Sequence, residues 1–111
     1  MPPKKNPLGL NTLQLKTLTL LQELARLPGY SEAEDAGIVV HPPDPHGDHF
    51  HLGDAAVASR DASGLRNPAV WVALERKGLI RSMYPRGAVV TPLGLEYETG
   101  LRETILHKAT D

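Results

Sequence analysis

Cysteine is absent from the 111 residues. This excludes a disulfide framework, a thiolate metal site and a cysteine nucleophile, and it fits a reducing compartment. Any metal would have to sit on nitrogen and oxygen ligands. Net charge is nearly absent too: 12 Lys and Arg stand against 13 Asp and Glu, a formal −1, so no global basic excess points to a polyanion. Nor is there a long apolar run. The longest candidate, Leu13 to Leu27, is interrupted by Gln14, Lys16, Gln22, Glu23 and Arg26, which argues against a membrane span. Met1 to Pro7 is charged and proline-rich, without the apolar stretch of a secretory signal. A cytoplasmic location with no membrane partner is therefore expected.

The chain has the length of one ordinary domain, enough for a single core and too little for two. Residues 1–9 read as a flexible arm, 10–106 as the domain and 107–111 as a tail. The first helix opens at Asn11, a good N-cap, with Gln14 three residues on and Leu10 and Leu15 in the two positions of a hydrophobic staple. Leu13, Leu20, Leu21, Leu24 and Leu27 gather on one broad face, Leu15 and Leu18 widen it, and Pro28 with Gly29 ends the helix. Tyr30 to Gly37 reads as an acidic loop. Ile38 to Val40 is a short β-prone run, and the alternation at His49 to Leu52 marks a second extended segment beyond the prolines at 42, 43 and 45.

Asp54 is placed to cap a short helix with Ala55 to Arg60 as its body. The turn Asp61 to Gly64 comes next, and then the strongest local signals in the chain. Asn67 is an N-cap with Pro68 at the first helical position. Val70, Trp71 and Leu74 form an apolar stripe, and Gly78 with Leu79 completes a C-terminal motif. At this spacing Trp71 is a core residue. The outward positions of this helix are Ala69, Val72 and Ala73. Ile80 to Met83 and Ala88 to Thr91 are β-prone runs around the turn Tyr84 to Gly87. Thr91 with Pro92 starts a final helix, on which Leu93, Tyr97, Leu101 and Ile105 lie four apart.

The succession of helix, strand segment, helix, helix, hairpin and helix resembles the winged helix-turn-helix, and the likeness runs from about Asp54 to Tyr97. Leu74 to Arg81 is similar to the end of a recognition helix in MarR-type and related regulators, and Val89 to Gly94 is similar to the strand and helix start after their wing. The resemblance implies an α+β, mainly helical fold with a short extra β segment before the second helix. It further implies a DNA-binding or transcription-associated role, with the helix from Asn67 to Lys77 in the major groove and the wing at Ile80 to Thr91. Arg66, Asn67, Arg76, Lys77, Arg81 and Arg86 would then contact duplex DNA. The charge distribution agrees: Glu23 to Asp54 holds seven acidic residues against Arg26 alone, whereas Arg60 to Arg86 holds six basic residues against Asp61 and Glu75. Two features differ from that family. The outward face of the helix is apolar, and Pro85 precedes the turn arginine where those regulators carry an acid. A protein-protein interaction module on the same scaffold is the alternative, and homodimerisation through the C-terminal helix is open.

His41, His46, His49 and His51 fall with Asp44 and Asp48 in one short segment. Imidazole and carboxylate are ligands that Zn²⁺ accepts when thiolate is absent, so a metal-responsive module is a third reading. The competing account is a polar loop whose histidines cap backbone groups, and no cofactor is expected. Asp44 to His49 is also similar to the HxHxDH loop of metallo-β-lactamase-type hydrolases, a fold too large for this length. No enzyme is expected. Ser31, Ser59, Ser63 and Ser82 lack the flanks of a nucleophile elbow, and there is no glycine-rich phosphate loop.

Overall fold

A computed structural model describes residues 6–42, 49–52 and 55–108. The fold is α+β, with two antiparallel sheets and a first helix whose middle is buried. That helix, α1 (Thr12–Leu24), carries the expected capping box: Asn11 accepts from the Gln14 N–H at 2.8 Å, and the Gln14 side chain accepts from the Asn11 N–H at 3.0 Å. Thr17, Leu18, Thr19, Leu20 and Leu21 are buried in succession, so α1 is enclosed on all sides rather than on one face. Its two buried threonines satisfy their hydroxyls on the carbonyls one turn back, Thr17 on Leu13 at 2.8 Å and Thr19 on Leu15 at 2.7 Å. The helix stops before Leu27. Ahead of Pro28, Leu27 is driven to extended backbone (φ −106°, ψ 112°), and the preceding residues tighten into turns ending at the Leu27 N–H to Leu24 carbonyl bond.

Four strands form the first sheet: β1 (Ser31–Glu34), β2 (Gly37–Val40), β5 (Ile80–Met83) and β6 (Gly87–Val90), in the order β1-β2-β6-β5. The segment expected as an acidic loop is therefore partly a strand. Glu32, Ala33 and Glu34 are all exposed, so pairing of the backbone with β2, not burial, makes β1, and no hydrophobic alternation announces it. The hairpin β5–β6 forms where the β-prone runs placed it, with Ile80 opposite Val90 and Met83 opposite Gly87. Strand β2 joins its inner strand, Val39 facing Val89.

The second sheet corrects the reading of the middle of the chain. β3 (His49–Leu52), β4 (Ala55–Ala58) and β7 (His107–Lys108) pair in the order β3-β4-β7. The extended segment at His49 thus pairs with the residues just beyond it, Leu52 opposite Ala55, and the helix expected from Ala55 to Arg60 is instead β4 and a 3-10 turn at Ser59–Asp61. Three alanines favour helix by propensity, but the ladder with β3 and the complete burial of Val57 override it. A second 3-10 turn, Ser63–Arg66, leads into α2 (Pro68–Arg76). The Asp54 cap lies outside the described residues.

Helix α2 is bounded as its sequence specifies. Asn67 accepts from the Ala69 N–H at 3.0 Å. At the other end Gly78 takes φ +77°, and the Gly78 and Leu79 N–H groups donate to the Glu75 and Leu74 carbonyls at 2.9 and 3.1 Å, a Schellman closure. The single final helix is corrected to two short ones, α3 (Pro92–Glu96) and α4 (Arg102–Ile105). The Gln22 side-chain amide donates to the Gly94 and Tyr97 carbonyls at 2.8 and 2.7 Å, taking over acceptors that a continuing helix would have used. Leu93 is accordingly 49% exposed, and Ile105 is buried in the chain's own core, which withholds it from a second copy. Both ends of the described residues contact the domain: Tyr97 Oη bonds to Asn6 Oδ1 and accepts from the Leu8 N–H, and β7 pairs with β4.

The 3-10 turn before α2 packs tightly against α1. A Cβ built on Gly64 would lie 1.8 Å from Thr17 Oγ1 and 3.1 Å from Thr17 Cβ, so only glycine fits there. Gly64→Ala should destabilise the chain by roughly 1–3 kcal/mol through overpacking. Thr17→Ala in that background should recover part of the loss, read as a non-additive double-mutant cycle in urea midpoints.

Candidate nucleic-acid interface

Trp71 organises this surface from beneath. It is 1% exposed, a core residue as its spacing predicts. Its Nε1 donates to the Gly64 carbonyl at 3.1 Å, and its ring meets Tyr84 edge-on, centroids 5.3 Å apart at 71°. Tyr84 opens the turn of the β5–β6 hairpin, where the Tyr84–Pro85 peptide is cis and the Arg86 N–H donates to the Met83 carbonyl at 3.0 Å. The Tyr84 hydroxyl in turn donates to the Arg66 carbonyl at 2.9 Å. One tyrosine therefore ties the tip of the hairpin to the residues that precede α2.

A second tie holds the other end. The Glu75 carboxylate accepts from the Ser82 N–H at 2.9 Å, joining the last turn of α2 to the open edge of β5. Helix and hairpin are thus fixed side by side at two points, one at each end of α2.

The six residues expected to contact nucleic acid divide into two groups on this frame. Arg66 and Arg86 flank the Tyr84 tie; Arg76 and Arg81 flank the Glu75–Ser82 tie, with Lys77 next along the chain. All five cations are exposed. Among the described residues the ion pairs are Lys16–Asp61 and Glu23–Arg102, and none of the five takes part in one. Arg81 shares a sheet face with Val89, Val39 and Glu32, of which the two valines are buried. Asn67 differs from the rest: it is half-buried, and its side-chain oxygen is committed to the Ala69 N–H.

Between the two groups the outward stripe of α2 is Ala69, Val72, Ala73 and Arg76. Val72 is 45% exposed and Ala73 half-buried. Glu75 and Tyr84 were not among the expected site residues. Both act through a backbone partner that the fold supplies, and neither carries a local sequence signal.

The histidine segment is only partly described. His41 is exposed, with its Nδ1 3.4 Å from the Arg86 carbonyl, so this segment leaves the sheet beside the hairpin turn. His49 and His51 are two residues apart on β3. His46, Asp44 and Asp48 lie outside the described residues. Among the described residues no three His, Asp or Glu side chains are grouped to hold a metal ion, and no helix is long and apolar enough to cross a membrane.

Tyr84→Phe keeps the edge contact with Trp71 and removes the bond to Arg66. It should cost about 1 kcal/mol, seen as a lower urea midpoint at unchanged slope. Comparison with family models, with curated proteins and with solved structures finds no match to this chain.

Proposed function

We propose that the chain is a DNA-binding or transcription-associated module of winged-helix type, holding duplex DNA mainly through its phosphates. The observation that carries this reading is the set of five exposed cations, Arg66, Arg76, Lys77, Arg81 and Arg86, without an ion-pair partner among the described residues. They stand at the two ends of one helix and at the tip of the hairpin beside it. Unneutralised guanidinium and ammonium groups on a fixed frame are what a regularly charged backbone requires.

Chain order gives partial support: α1, the pairs β1–β2 and β3–β4, two 3-10 turns, α2, the hairpin β5–β6 and then α3. The helix, hairpin and following helix of the winged-helix resemblance come in that order, while β4 and a 3-10 turn stand where the helix before α2 was expected. On this reading α2 enters the major groove and the hairpin lies along the adjoining backbone. Asn67 contributes by capping the helix. Direct base contact by its side-chain oxygen would cost the Ala69 bond.

The competing reading is a protein-interaction surface. It is favoured by the exposure of Val72, Met83 and Leu93, at 45%, 38% and 49%, apolar side chains on or beside the same elements.

Binding to random-sequence duplex DNA across a salt series separates the two. Log affinity should fall linearly with log salt, with a slope of about −0.9 for each phosphate neutralised. The Arg76→Ala, Arg86→Ala double variant should flatten that slope by about two units. An unchanged slope would mean that the contact surface lies elsewhere, and no binding at low salt would leave the protein-interaction reading in its place. Glu75→Gln keeps an acceptor for the Ser82 N–H while removing the acid nearest the phosphates. It should tighten binding about threefold at low salt and less as salt rises.

A further inference from the structure

We propose that the outward face of α2 reads thymine through its C5-methyl group, which deepens the DNA-binding reading and rests on it. The stripe Ala69, Val72 and Ala73 lies opposite the buried residues Val70, Trp71 and Leu74. It presents no hydroxyl or amide to a base edge, and the Asn67 side-chain oxygen at its start is occupied by the Ala69 N–H. An aliphatic surface cannot exchange hydrogen bonds with a base pair. The one feature of the major groove that it matches is the methyl group of thymine.

Charge and length select this occupant over an apolar protein surface. Helix α2 has nine residues, about 13 Å of rise, close to the roughly 12 Å width of the major groove. Arg66 and Arg86 stand at one end of that span, Arg76 and Lys77 at the other. With the cations against the two phosphate walls, the apolar middle of the helix faces the base edges. A dry protein interface laid over the same helix would desolvate these charges with no ion-pair partner within the chain among the described residues. Val72, the largest apolar side chain on the stripe, carries most of the methyl contact.

The experiment is anisotropy titration of the full chain at fixed low salt against four short duplexes. These are an alternating A·T duplex, the same duplex with deoxyuridine for thymidine, an alternating G·C duplex, and the same duplex with 5-methylcytosine for cytosine. Removing the thymine methyls should weaken binding about fourfold for each methyl contacted, and adding them to cytosine should strengthen it by a similar factor. Val72→Ser, at an exposed position, should abolish both preferences and leave the salt slope of the parent chain. Equal affinity for the thymidine and deoxyuridine duplexes, with salt-dependent binding intact, overturns the methyl readout and leaves the DNA-binding reading standing. No binding to any of the four overturns both and assigns the Val72 face to a protein partner.

Discussion

Helix and hairpin keep their mutual position because of what surrounds one tryptophan. Trp71 uses its indole N–H on the Gly64 carbonyl and its ring on Tyr84, while Tyr84 reaches the Arg66 carbonyl. Gly64 in turn presses on Thr17 of the buried first helix, where no larger residue fits. Central helix, the turn before α2, α2 itself and the hairpin tip are thereby linked in one short series of contacts. An aromatic ring with a satisfied polar group is well suited to this, since it fills volume and fixes direction together. Without it only the Glu75–Ser82 tie would hold the two elements together at this surface.

What could be read from the chain alone was whatever is decided within a few residues. The Asn11 capping box, the Asn67 cap followed by Pro68, the Gly78 closure and the β5–β6 hairpin all rest on local geometry, and all are found where the pattern put them. The misread segments are those whose conformation is set by a distant partner. Ala55 to Ala58 become strand because β3 and β7 lie on either side of β4, and β1 is strand although its side chains face solvent. The last helix breaks where Gln22, more than seventy residues earlier in the chain, captures its carbonyls. In each case non-local pairing overrides propensity.

The candidate site divides along the same line. Its cations were legible because charge is a property of composition, and the excess of basic residues between Arg60 and Arg86 stands out against a nearly neutral chain. The ties at Glu75 and Tyr84 were not, since each uses a backbone group on another element. The Asn67 cap, by contrast, was legible, and with it the use of its side-chain oxygen inside the chain. The surface that remains is unusual for a helix of this kind: charged at both ends, apolar between, with the single acid of α2 turned to a structural use. On the DNA-binding reading we propose, such a surface would hold a polyanion by its periphery and leave the centre to shape and methyl contact.

The four-stranded sheet has two outer strands, and neither invites another chain to extend it. On β5 the Ser82 N–H is already occupied by the carboxylate of Glu75. On β1 the side chains exposed at the rim include Glu32 and Glu34, so a second copy aligned there would bring like charges together. Protected in these two ways, the outer strands do not offer a template for fibril-like stacking. That protection matters in a chain that carries almost no net charge to keep its copies apart.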